Sequence, residues 1–215
     1  MTTPPPQEED AGSLLPALLT AYTGYLAWRA ANGPLPGAWR EVVDKLGLSI
    51  QLGDQLALLA ARALARQRSE YKAAADELWT ALPQGVQAGV DAGLQTVAEA
   101  LIWTDHHESL DTKDVEEGII PTLENPPEEL ALIVAQAVSG ASQTATAEAA
   151  GWKWKTWMTA GDAEVRPTHQ ALKGEKIPLT AAFHTEDGDT LRYPGDPLAS
   201  IGNRIGCRCT LHISR

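Results

Sequence analysis

The sequence predicts an α+β protein, mainly α-helical in its N-terminal region and closing in a small α+β module with short antiparallel strands. Three observations carry that expectation. Apolar residues recur at helical spacing from Gly12 to about Ala150, the pattern switches to a period of two at Gly151, and beyond it prolines and glycines crowd among short apolar runs. The expected organisation is a disordered tail over residues 1–10, a helical region over 11–150 and a module over 151–215.

The first ten residues are Pro-rich and then acidic, a composition that buries too little apolar surface to order itself. Leu14, Leu15, Leu18, Leu19, Tyr22 and Leu26 mark one face of a helix that Gly33, Pro34 and Pro36 stop. A short helix follows from Ala38 to Leu46, ended by Gly47. From Gln51 to Leu82, Leu52, Leu56, Leu59, Ala63, Tyr71, Leu78 and Trp79 fall near one face, with Arg62, Arg66, Arg68 and Lys72 on another; Pro83 breaks the pattern. Val86, Val90, Leu94, Val97 and Leu101 carry helical register from Gly85 to His106, where His106 and His107 complement the dipole. Glycines inside that stretch count against a helix. Asp111 caps a short helix to Glu117, and Pro126 and Pro127 open one that runs to about Ala150. The second half of this last helix turns to Ala, Ser and Thr, small residues that permit close approach within the fold or against a partner.

In WKWKTWMT, residues 152–159, Trp152, Trp154 and Thr156 alternate with Lys153, Lys155 and Trp157, which reads as a strand with one apolar and one basic face. Three tryptophans cannot share one side of it. One or two therefore pack on the last helix, and another lies near the surface beside the lysines. Pro167 to Lys173 reads as a short helix with Gly174 at its C-terminal cap. The segment YPGDP is a turn, Pro194 fixing one angle and Gly195 permitting a positive one, and two further strands are expected at Leu191–Tyr193 and Cys207–Ile213.

At 215 residues, 44% hydrophobic and 21% charged, the composition is that of a soluble globular chain. No run approaches the roughly 18 apolar residues of a membrane span, and MTTPPPQEED lacks the features of a signal peptide. A cytosolic protein with reduced thiols is expected, because a Cys-x-Cys disulfide closes a very small strained ring. The net charge of -11 is uneven: residues 152–215 hold nine Lys or Arg against seven Asp or Glu, leaving eight against twenty-one before them. That balance argues against a coat spread along nucleic acid, where phosphate neutralisation dominates binding.

Cys207 and Cys209 on one strand face, His212 three residues on and His169 from the short helix would make a Cys2His2 set suited to tetrahedral zinc, with Asp162 and His184 as spare donors. The other reading is a small buried pair of thiols with His169 hydrogen-bonded to a carboxylate. Asp162 set against Arg166 makes an ion pair that pins the turn before the short helix. Alternatively His169 is a general base oriented by Asp162, although Thr168, the nearest hydroxyl, has no Gly-rich elbow around it. Lys153 and Lys155, beside an exposed indole, are candidate nucleic-acid contacts.

In this order the pieces resemble the phage head morphogenesis family, the minor head proteins related to protein F of phage Mu. The residues that carry the resemblance are Trp157, Asp162, Arg166, His169, Leu172, Gly174, Phe183, the Pro194, Gly195, Asp196, Pro197 run, Asn203, and Cys207, Arg208, Cys209. The family usually has Asn directly before Cys-Arg-Cys, whereas this chain carries Arg204, Ile205 and Gly206 between. The resemblance covers the C-terminal third. It implies a non-enzymatic minor head (capsid) protein of a tailed double-stranded-DNA phage or prophage. Such a virion component associates with the portal protein and other head proteins, and with packaged DNA as a further partner. It is made in the host cytoplasm, enters the head interior or portal vertex, and acts in procapsid assembly, head morphogenesis or DNA exit. The residues leave a second expectation open: a metal-dependent hydrolase or nuclease carried in the virion, using Asp162, His169, Cys207, Cys209 and His212.

Overall fold

A computed structural model describes residues 6–70, 80–107 and 126–215. Five long or medium helices come first: α1 (Pro6–Asn32), α2 (Trp39–Leu46), α3 (Leu48–Glu70), α4 (Leu82–His107) and α5 (Pro126–Ala149). The module then runs β1 (Trp154–Met158), α6 (Pro167–Ala171), β2 (Lys176–Pro178), β3 (Phe183–His184), β4 (Thr190–Leu191), α7 (Ile201–Arg204) and β5 (Thr210–Ser214). This is the α+β arrangement expected. The short helix expected at Asp111 to Glu117 and the first five residues lie outside the described residues.

Helical spacing sets the bundle. Leu14, Leu18, Ala21 and Tyr25 form the buried face of α1, and Leu19 and Leu26, expected on it, lie outside at 50% and 44% exposure. On α3 the buried series is Leu48, Leu52, Leu56, Leu59 and Ala63. Full burial of each leucine is worth about 1.5–3 kcal/mol. The expected tail is helical from Pro6 onward, because Asp10 is buried and accepts a 2.5 Å hydrogen bond from Arg66, tying α1 to α3. Pro83 stands in the first turn of α4, where its missing N–H costs nothing, and the turn at Ala81 separates α4 from the helical residue Thr80, so the break expected at this proline is present.

The glycines inside α4 mark close approach. A Cβ on Gly89 would lie 2.2 Å from the Ser142 hydroxyl of α5 and 2.9 Å from Ala60 of α3. Only a missing side chain lets the three helices pack there.

In the module, β1 is the centre of an antiparallel sheet of order β2, β1, β5, with Trp154 opposite both Pro178 and Ser214 and Thr156 opposite His212. β3 and β4 form a separate two-residue ladder. The face of β1 that turns inward carries Lys155 and Trp157, both at 1% exposure or less, whereas Trp154 is 39% exposed. Lys155 and Trp154 are thus the reverse of an apolar-in, basic-out strand, whereas Trp152 is buried and Lys153 exposed as expected, and two of the three tryptophans are packed with the third at the surface. Gly174 does not cap α6 as expected: Leu172 does, and the Gly174 N–H donates to the Trp157 carbonyl at 2.9 Å, turning the chain into β2.

The second core is shared between regions. Trp152, Trp157, Phe183, Leu191 and Tyr193 of the module pack with Ala92 of α4 and Ala137, Ala141 and Ala147 of α5. The small residues of α5 thus serve contact inside the fold. The YPGDP turn lies directly on α5, since a Cβ on Gly195 would meet the Gln136 Cγ at 2.7 Å and the Ala137 nitrogen at 2.9 Å. With φ at +80°, this position requires glycine twice over.

Candidate metal centre

Pro167 opens α6 and sets His169 facing inward at 1% exposure. Its Nδ1 lies 3.6 Å from both the Cys207 and the Cys209 sulphur. The three donor atoms all fall within 4.8 Å of one another, so the cluster could hold a metal ion. Cys209 is buried and Cys207 partly so, and neither is in a disulfide. Both precede β5 rather than standing on it.

The segment carrying the thiols is held by clamps that reach across the module. Arg166, just before α6, donates through its two terminal guanidinium nitrogens to the carbonyls of Gly202 and Ile205. Asn203 donates to Asp187 and Asp189, each at 3.0 Å, and accepts from the Thr168 hydroxyl at 3.2 Å. Gln136 of α5 donates to the Cys209 carbonyl. Arg204, the buried last residue of α7, donates to the Pro197 carbonyl and pairs with Glu99 of α4 at 3.3 Å. Around the imidazole, Trp157 stands edge-on at 5.2 Å and meets Phe183 in turn at 5.0 Å.

The electrostatics favour one thiolate. The Cys209 thiol donating to it, and His169 beside it, hold the Cys207 thiol well below its ordinary range despite burial. Cys209 is pushed up, first because it is that donor and then by burial. A metal ion replacing the shared proton would let both sulphurs bind as thiolates, releasing protons as it does so.

Several expected members of the site lie elsewhere. His212 is exposed, because on β5 it is Leu211 and Ile213 that turn inward. Asp162 pairs with Arg208 at 2.8 Å, not with Arg166, whose guanidinium is spent on backbone carbonyls. A pairing between two such exposed groups is worth little. His184 is exposed beside the Thr190 hydroxyl at 3.3 Å. Lys155 is buried and donates to the Arg192 carbonyl at 2.6 Å, which withdraws it from any nucleic acid; Lys153 remains exposed. Asp196, 1% exposed, accepts from the Arg192 backbone and guanidinium and from the Leu198 N–H. Pro194 lies buried beside Gly195 in the turn seated on α5.

Sequence reading missed Gln136, Arg204, Asp187 and Asp189. The acidic turn Asp187, Gly188, Asp189 was visible, but nothing local marked Asn203 as its partner.

No family model matches the chain, and comparisons with curated proteins and with solved structures give no match.

Proposed function

We propose that the chain is a non-enzymatic minor head protein of a tailed double-stranded-DNA phage or prophage, acting with the portal in head assembly. Its C-terminal module is stapled by a structural zinc ion on His169, Cys207 and Cys209. The observation that carries this reading is what the motif residues do. Trp157, Arg166, Asp196, Asn203 and the His and Cys residues all spend their chemistry on holding the module together and seating it on α5.

Zinc suits the donor set. Two thiolates and an imidazole are its preferred ligands, and tetrahedral bonds of about 2.3 Å to sulphur and 2.0–2.1 Å to nitrogen place S and N about 3.6 Å apart. The sulphur-to-nitrogen distances here are both 3.6 Å. Against it stands His169 Nε2, which is buried and has no hydrogen-bond partner among the described residues, whereas a ligating histidine usually donates from its second nitrogen.

Three donors leave a fourth position, the pattern of a catalytic zinc, and this favours the hydrolase as the second reading. Against it, among the described residues no further carboxylate or histidine joins the cluster as a base, Asp162 being engaged with Arg208. Metal analysis of the purified protein is expected to give one zinc per chain, lost in Cys209→Ser. Deleting the gene from the phage is expected to leave procapsids of abnormal composition or infectivity. Normal particles from the deletion would remove the assembly role, and turnover of nucleic acid or peptidoglycan dependent on the zinc would favour the hydrolase.

A further inference from the structure

Away from the thiols, a cavity of about 360 Å³ opens where the module meets the bundle, a size suited to a small organic molecule. Ala88 and Ala92 of α4 and Ala141 and Ala145 of α5 line it on one side, and Leu179 and Tyr193 on the other. Small side chains there leave space that larger ones would fill.

Lys155 also lines this cavity, although only 1% of it is exposed. An ammonium has three hydrogens to donate, and among the described residues Nζ makes one hydrogen bond, to the Arg192 carbonyl at 2.6 Å. The Phe183 ring lies 5.5 Å from it. Asp196, a buried carboxylate that attracts it, is already committed to Arg192. Among the described residues no carboxylate forms an ion pair with this buried cation, although Asp196 and Glu148 both attract it, and burial lowers its pKa to about 8. A second polar group is unsatisfied in the same lining: the Thr144 hydroxyl is buried with no partner among the described residues.

We propose that this cavity binds a small organic monocarboxylate, its carboxylate on the Lys155 ammonium and its apolar body against the alanines. A single negative charge is the better match. Asp91 and Glu148 line the cavity together with Lys155, Arg40 and Arg192, and would repel a dianion such as a phosphate monoester more than a monoanion. The site stands apart from the thiol cluster and does not depend on the metal or on a role in assembly.

Calorimetric titration of the full chain with benzoate, and with neutral benzamide as control, tests the proposal. Saturable benzoate binding is expected, with benzamide much weaker. Lys155→Met is expected to lose roughly tenfold or more in affinity, the worth of a hydrogen bond to a charged group. Ala145→Leu keeps Lys155 but fills the cavity, and is expected to abolish binding; it decides the matter if Lys155→Met fails to fold. Absence of saturation in the wild type, or unchanged affinity in Ala145→Leu, would overturn the site.

Discussion

Helix α3 buries Leu48, Leu52, Leu56 and Leu59 and takes its place in the bundle from their spacing, whereas strand β1 buries Lys155 beside Trp157 and takes its place from partners far along the chain. The two regions bury different kinds of group. In the bundle, apolar volume is distributed over many side chains. The module closes through single groups with no substitute: Arg166 on two carbonyls, Asn203 on two aspartates, Gly195 on the α5 backbone. Of the eight glycines at positive φ among the described residues, six lie from Gly151 onward, so backbone angle is a further demand concentrated there. The module should tolerate changes of volume less poorly than changes of hydrogen bonding or dihedral angle, and the bundle the reverse.

One methyl group, added in each region, gives the sharpest contrast. In α3 a Cβ on Gly53 would meet nothing within 4 Å. Gly53→Ala is therefore expected to stabilise the protein by about 0.5–1 kcal/mol, through helix propensity. Gly195→Ala adds the same atom at φ +80° and against the Ala137 backbone nitrogen at 2.9 Å. Strain and overpacking together are expected to cost about 2–5 kcal/mol. Urea denaturation of both variants measures the pair, and a neutral Gly195→Ala would break the comparison.

A smaller effect comes from exchanging one cation for another. Arg166→Lys keeps the charge but loses the fork that reaches the Gly202 and Ile205 carbonyls. The expected cost is about 1.5–3 kcal/mol, that of hydrogen bonds to a charged group. Arg62→Lys in the bundle, where Asp10 is 3.8 Å away and Arg66 is its closer partner, is expected to stay within about 1 kcal/mol. Equal losses in the two variants would mean that the Arg166 clamp adds nothing beyond an ordinary surface pair.

The same difference explains what the sequence made legible. Periodicity located the bundle helices because a helix repeats its buried face every turn, and one misplaced leucine does not change the count. In β1, alternation correctly separated Lys155 and Trp157 from Trp154 but could not say which face turns inward. That depends on the Arg192 carbonyl, 37 residues away. Proximity in sequence pairs Asp162 with Arg166, but each has a more distant partner instead. The motif residues were visible as a set, and His169 with Cys207 and Cys209 does assemble. What sequence could not supply was their second layer, Gln136, Arg204 and the two aspartates, because no local pattern records a contact across the fold.

Lys155 also gives the comparison a pH dependence. Its folded pKa of about 8, set first by burial against the pull of Asp196 and Glu148 and the push of Arg192, lies below the ordinary 10.5. Below about pH 8 both folded and unfolded chains carry the proton, and the cost of burying the charge is fully present. Between there and about 10.5 the unfolded chain holds more protons, so stability rises with pH. Lys155→Met lacks this contribution, while any titration of the thiols is common to both proteins. The wild type is therefore expected to gain stability relative to Lys155→Met between about pH 7.5 and pH 10, in urea denaturation at each pH. A constant difference between the two would mean that Lys155 stays well hydrated, which would also count against the cavity site.

The smallest expected effect separates a two-histidine centre from the one-histidine cluster. His212 follows Cys209 by three residues, and on spacing alone it belongs with the thiols. β5 begins at Thr210, however, and its pairing with β1 sets Leu211 opposite Trp157 and His212 opposite Thr156. Leu211 and Ile213 then turn into the core and His212 turns out. His212→Ala is accordingly expected to change stability by no more than about 0.5 kcal/mol, as for a surface substitution, and to leave the zinc content unchanged. His169→Ala is expected to lose the proposed zinc, because it removes the nitrogen that both sulphurs face. Loss of zinc in His212→Ala would require β5 to shift by one residue, exposing Leu211 and Ile213, and would leave the core of the module without the strand that closes it.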